Sequence, residues 1–174
     1  MGGLKIVVAG PKGCGKSAIS TFLSGQAEGF KLDQYNATAG CRVLEFDTPV
    51  KGHNDPVSVE LWDASGDHAF ESCWKAITAD ADGVILVYNP DSPGQDQQLG
   101  DWFEFFVRKN GLRDEQCMVI AFRQSGDNQQ RFQPPPLFSR VTAALQTNEN
   151  RQDIREMFDD FMKTVTSMNA RSRK

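Results

Sequence analysis

The eight residues from Gly10 to Ser17, Gly-Pro-Lys-Gly-Cys-Gly-Lys-Ser, restrict this chain more than any other stretch. They fit G-x-x-x-x-G-K-[ST], with Gly10 and Gly15 as the fixed glycines, Lys16 as the cation and Ser17 as the hydroxyl. Before them Leu4, Ile6, Val7, Val8 and Ala9 read as a buried strand; after them Ala18, Ile19, Phe22 and Leu23 recur at helical spacing. A strand, a glycine-rich turn and a helix in that order make a phosphate cradle. Backbone N–H groups surround a phosphate only where side chains do not intrude, which Gly13 and Gly15 permit. Lys16 then neutralises the outer phosphates, Ser17 ligates Mg2+, and the positive end of the helix faces the anion. The expected ligand is a nucleoside triphosphate with Mg2+.

A chain of 174 residues suits one well-buried domain and is short for two. Its net charge of -4 argues against a sequence-independent grip on nucleic acid or an anionic membrane. Basic residues cluster only at Arg171 to Lys174, so a domain over 1–168 with a basic flexible tail over 169–174 is expected. Cys14, Cys41, Cys73 and Cys117 lie far apart, without metal-ligand spacing, which fits a reducing cytosol and no structural zinc. Cys14 sits inside the cradle, either as a thiol activated by nearby N–H dipoles or as a small filler. No signal-peptide pattern, membrane-length apolar run or C-terminal prenylation cysteine is visible, so no direct lipid anchor is expected.

Ser24 to Ala39 is polar and reads as a loop ending at Thr38. Strand patterns follow at Arg42 to Phe46 and at Val57, Val59 and Leu61, joined by an irregular hairpin. The second runs into Trp62-Asp63-Ala64-Ser65-Gly66. D-x-x-G alone carries little information. On a strand after a phosphate loop, it places Asp63 toward Mg2+ and Gly66 toward a terminal phosphate. The remaining pattern is a helix over His68 to Ala79, a strand over Gly83 to Tyr88, a helix over Gln95 to Asn110, a strand over Met118 to Phe122, a strand at Val141 to Leu145 and a C-terminal helix through Met168. Strands apolar on both faces imply an α/β fold, a mostly parallel six-stranded sheet flanked by helices. The Gln- and Pro-rich stretch after the fifth strand reads as irregular, with the fourth helix of such a fold missing.

This order, across nearly the whole chain, resembles the Ras-like small GTPases. Gly40-Cys-Arg-Val-Leu-Glu-Phe46, Glu60-Leu-Trp-Asp63, Phe70-Glu-Ser-Cys-Trp74 and Gln116-Cys-Met-Val-Ile-Ala121 are most similar to the Rab-like protein 5 (intraflagellar transport) family. The resemblance implies GTP or GDP held by Gly10, Lys12, Gly13, Cys14, Gly15, Lys16, Ser17 and Ala18, with Thr38 joining Ser17 and Asp63 on Mg2+ when a terminal phosphate is present. It also implies a subunit of the intraflagellar transport B complex, bound to the coiled-coil intraflagellar transport proteins 74 and 81. Cytoplasm and cilium or flagellum are the compartments that follow.

Three departures bear on chemistry. Asp67 stands where these proteins carry the water-orienting Gln, and a carboxylate beside phosphate adds repulsion and lacks the amide donor. Lys12 replaces a frequent glycine, projecting either over the phosphate or into solvent. Arg123 and Gln124 occupy the Asn and Lys places of the guanine-reading N-K-x-D, and Asp127 comes one residue late; these three either reach the base or form a solvated loop. Slow or absent hydrolysis is expected. Two readings follow: a nucleotide-binding adaptor or switch, and an actively hydrolysing GTPase in intracellular traffic. A nucleotide kinase is disfavoured, since no Arg-rich lid follows the cradle. Trp62, Phe70 and Trp74 flank the second switch as core residues or partner anchors.

Overall fold

In the computed structural model, which describes residues 3–30, 36–123, 134–146 and 151–172, strand β1 (Leu4–Ala9) leads into α1 (Lys16–Leu23) and the hairpin β2 (Cys41–Thr48) and β3 (Val57–Ala64). Helix α2 (Glu71–Thr78), β4 (Gly83–Tyr88), α3 (Gln95–Phe106), β5 (Cys117–Phe122), β6 (Thr142–Gln146) and α4 (Arg151–Ser172) complete the chain. The sheet order is β2-β3-β1-β4-β5-β6, and β2 alone runs antiparallel to its neighbour. This is the expected sheet. Its centre is β1, flanked by β3 and β4, so the loop after β1 opens where the chain winds to opposite sides, the usual ligand crevice of such sheets.

The two-residue period of the strands divides the core. Ile6, Val8, Val59, Leu61, Ile85, Val87, Ile120 and Phe122 meet α1 and α4, whereas Val7, Val84, Leu86 and Val119 meet α2 and α3 on the other face. Leu44 is buried on the α1 side of β2, which puts Arg42, two residues earlier, on that same side. An inward-facing charge at a strand end demands a partner.

Several boundaries differ from expectation for local reasons. β3 continues to Ala64 because β2 pairs with it as far as Cys41, so Asp63 lies within the strand and opposite Arg42. The helix expected over His68 to Ala79 begins as a 3-10 turn, His68–Phe70, whose N-cap Asp67 accepts from Ala69 N. α3 ends at Phe106 and a 3-10 turn over Arg108–Asn110 follows, stopped by Gly111 at φ 69°. Between β5 and β6 the described residues hold one 3-10 turn, Pro136–Phe138, and most of the stretch expected to be irregular lies outside them. α4 reaches Ser172, and Asn169 donates to Asp82 Oδ1 at 2.6 Å, so the helix passes the boundary expected at 168.

The structure assigns Trp74 to the core rather than to a partner-facing surface. It is 4% exposed, its ring centroid lies 4.6 Å from that of Trp102 and 5.5 Å from that of Phe106, and Nε1 donates to Ser65 O at 3.2 Å. Trp62 is half-buried, with Lys5 Nζ 3.8 Å from its ring centroid. Trp74→Ala is therefore expected to cost about 3–5 kcal/mol and lower Tm by about 10 °C. A thermal melt within about 2 °C of the parent would contradict that burial.

Candidate functional site

The loops after β1, β3 and β4 and, at the end of β5, Arg123 meet at the carboxyl ends of these strands, and the first of these loops carries the cradle. A Cβ on Gly10 would run into the Val87 carbonyl, while Gly13 and Gly15 hold φ of 74° and 95°, where L side chains are strained. Gly15 is the left-handed N-cap of α1. The chain therefore turns sharply from β1 into the helix, and the unpaired N–H groups of the first turn gather at one spot.

Lys16 is buried at 6% exposure, and Nζ donates to Gly10 O at 2.9 Å and Pro11 O at 2.8 Å. Those carbonyls fold the side chain back over the cradle without neutralising it. Gly66 closes the site from the β3 side. A Cβ there would stand 2.6 Å from both Lys16 Nζ and Lys12 N, so only glycine lets this backbone come so near.

The three residues expected at Mg2+ converge. Ser17 Oγ is 3.0 Å from Thr38 Oγ1 and donates to Asp63 Oδ2 at 2.7 Å. Asp63 is fully buried, and its Oδ1 has no hydrogen-bond partner. Burial pushes its pKa up, against the Ser17 hydrogen bond and the Arg42 charge. An orphaned carboxylate oxygen beside two hydroxyls fits a hard cation whose shell is completed by phosphate and water oxygens. The residues present thus suit Mg2+. Among the described residues no cluster of three His, Cys, Asp or Glu offers an alternative metal site.

Lys12 and Asp67, read separately in the sequence, form one ion pair: Nζ to Oδ2, 2.9 Å. The Lys12 hydrogen bond and the Ala69 N–H hold the Asp67 carboxyl below the usual carboxylate range. The pair borders a cleft of about 360 Å3 between Pro11, Gly66 and the start of α3. Gln95 lies in its wall, buried, donating from Nε2 to Lys12 O at 3.3 Å and accepting Asn89 N at 2.8 Å.

Cys14 is a filler. It is fully buried, donates to Val87 O at 3.1 Å, and burial pushes its thiol pKa up. Burial, followed by the Asp63 charge, likewise pushes Cys41 up to about 11. Arg123 is buried at the end of β5, with Nε donating to both Asp91 oxygens at 3.1 and 2.8 Å, so it is anchored to the loop after β4. Gln124 and Asp127 lie outside the described residues.

Sequence reading missed Arg42 and Gln95. Arg42 Nη2 donates to Ser17 O at 3.2 Å and Thr21 Oγ1 at 3.0 Å and lies 3.3 Å from Asp63 Oδ2. Its signal was present, a charge sharing strand parity with buried Leu44. Gln95 carried no signal beyond being polar at a helix start.

Comparison with known proteins agrees with this geometry. Residues 5–125 match the family model "Ras of Complex, Roc, domain of DAPkinase". The intraflagellar transport protein 22 homologs of Danio rerio and Homo sapiens are each 34% identical, the first over 98% of this chain and 94% of its own length, the second over 97% and 93%. Crystal structures of T. brucei IFT22 are similar in the GDP-bound form, TM-score 0.72 at 26% identity over 96% of this chain and 98% of that one. The T. brucei IFT22/74/81 GTP-bound crystal structure covers 99% of both chains with a TM-score of 0.81; at 24% identity that likeness carries the fold.

Proposed function

The chain belongs to the intraflagellar transport protein 22 family of Ras-like small GTPases, and from that premise we propose that it is a GTP- and GDP-binding subunit of the intraflagellar transport B complex, an adaptor of cytoplasm and cilium. Coiled-coil partners equivalent to intraflagellar transport proteins 74 and 81 receive it. The observation that carries this is the closure of Thr38, Ser17 and Asp63 on one point with Asp63 Oδ1 left over.

Lys16 and the main-chain amides of Gly13 to Ala18 hold the phosphates. Ser17, Thr38 and Asp63 hold Mg2+, which when bound neutralises phosphate charge. Thr38 and Gly66 order their own segments only while the terminal phosphate is there, so the surface shown to a partner changes with the nucleotide. Ser65 N donates to Gly40 O at 2.8 Å, tying the two segments to each other as well. The test is capture of a recombinant 74/81 coiled-coil pair by protein loaded with GTP or GDP. Binding to the GTP form is expected, and failure of both forms to bind removes the adaptor reading.

Hydrolysis is a minor activity in this reading, because Asp67 is committed to Lys12 and presents no amide to water. Its depressed pKa keeps the carboxylate ionised and paired above about pH 3.9, the ordinary Asp value, and the pair is lost only as pH falls through the lower folded value. Single-turnover phosphate release near or below about 10⁻⁴ s⁻¹, without a carboxylate titration between about pH 6 and 8, is expected. Release a hundredfold faster, abolished by Lys16→Ala, would restore the turning-over switch.

A further inference from the structure

Arg42 is the first residue of β2 on the α1 side of the sheet, four residues after Thr38, and it reaches two of the three residues that would hold Mg2+. One nitrogen, Nη2, donates to the Ser17 carbonyl at 3.2 Å and stands 3.3 Å from Asp63 Oδ2. The same nitrogen donates to Thr21 Oγ1 at 3.0 Å, and Thr21 Oγ1 itself donates to Ser17 O at 2.7 Å. Edge strand, first turn of α1 and the buried carboxylate are therefore clipped together by one cation.

The division of the carboxylate matters. Oδ2 takes Ser17 and Arg42, whereas Oδ1 is buried without a partner. A metal engaging Oδ1 and the guanidinium engaging Oδ2 do not compete for the same oxygen. When the metal is away, a fully buried carboxylate lacking any cation would be strongly destabilising. Among the described residues Arg42 is the cation at ion-pair distance, 43% exposed against 0% for Asp63, with Lys16 acting on the same carboxylate from farther away.

We propose that Arg42 is a positioning residue of the metal site, a resident cation that holds Asp63 and the first turn of α1 in register when Mg2+ leaves, so that bound nucleotide survives metal loss. The proposal rests on the nucleotide-binding reading above. It adds a residue that touches neither phosphate nor base and yet sets how steeply retention depends on metal. It also makes β2 mechanically continuous with the metal site, since the clip joins the strand after Thr38 to α1.

The test compares dissociation of fluorescently labelled GDP in millimolar Mg2+ and in excess EDTA, for the parent, Arg42→Ala and Arg42→Lys. In Mg2+ Arg42→Ala is expected to change the off-rate by less than about threefold; in EDTA it should raise it at least about tenfold, with Arg42→Lys between. An unchanged EDTA-to-Mg2+ ratio, or a smaller one, overturns the proposal. A second measurement needs no nucleotide: the melting temperatures of parent, Arg42→Ala, Asp63→Asn and the double variant in EDTA. If Arg42 acts through Asp63, its loss costs much less once the charge on Asp63 is gone; equal costs in both backgrounds reduce it to a structural clip. If the parent itself binds no GDP in Mg2+, the functional reading fails while the melting cycle still decides whether Arg42 serves Asp63.

Discussion

Lys16→Ala is expected to lower affinity for GTP and GDP by about two to three orders of magnitude while leaving the fold intact. The ammonium is buried and its hydrogen bonds run to the Gly10 and Pro11 carbonyls and, at 3.8 Å, to Cys14 Sγ, none of which carries a charge. A buried ammonium that no carboxylate among the described residues hydrogen-bonds, with Asp63 acting on it only through space, is costly to desolvate, so this side chain makes the cradle ready for an anion. Each charge-assisted hydrogen bond to phosphate is worth about 1.5–3 kcal/mol, and losing one or two of them corresponds to the stated range. Calorimetric titration in Mg2+ reads the affinity, and circular dichroism reads the fold. Affinity within about threefold of the parent would mean that the phosphate does not sit against Lys16, and the whole nucleotide reading would go with it.

The parts of the site legible in the sequence are those fixed within a few residues of one another. Gly10 to Ser17 is read directly because strand, turn and helix are local, and Asp63 and Gly66 gain meaning from their place after an alternating strand. Of the residues expected at Mg2+, Ser17 and Asp63 meet because β1 and β3 are neighbours, and Thr38 joins them because it leads into β2, which pairs back on β3. What escaped depends on side chains separated by long stretches of chain. Lys12 and Asp67 each looked like an isolated departure, yet the sheet brings them into one ion pair. Their separate readings, a lysine over the phosphate or in solvent and a carboxylate in the place of the water-orienting Gln, give way to a shared contact.

Arg42 illustrates the same limit differently. Period-two parity reveals which side of β2 it faces, but its partners lie on α1 and β3, and only the stacking of α1 on that face selects Ser17, Thr21 and Asp63. Trp74 stays open in the sequence for the opposite reason. Its place beside the D-x-x-G segment suits either a core or a partner-facing residue, and only the docking of α2, which gathers Trp74, Trp102 and Phe106 into one cluster, selects the core. Helix ends escaped where a tighter turn replaces the last α-helical turn. α3 gives way to a 3-10 turn at a position that its apolar pattern runs straight through.

A fragment ending at Arg151, lacking nearly all of α4, is expected to have no cooperative melting transition. The helix places Ile154, Phe158, Phe161, Met162 and Val165 in the core at 4% exposure or less, with Met157 packed against it. At about 1.5–3 kcal/mol for each fully buried side chain, these five contribute about 8–15 kcal/mol, as much as the entire net stability of a typical domain. The contact is close, for a Cβ on Gly83 would stand 2.8 Å from Phe161 Cζ, so β4 is glycine where α4 crosses it. α4 also finishes α1: Arg155 donates to Phe22 O at 2.8 Å and Leu23 O at 3.2 Å, with its guanidinium 4.7 Å from the Phe22 ring centroid. Loss of α4 therefore uncovers one face of the sheet and frees the far end of the helix whose first turn forms the cradle. Thermal denaturation followed by circular dichroism, with GDP binding on the same samples, tests this. A soluble fragment that melts cooperatively would show that α1 and the sheet stand without their cover, and nucleotide bound by that fragment would separate the cradle from the rest of the core.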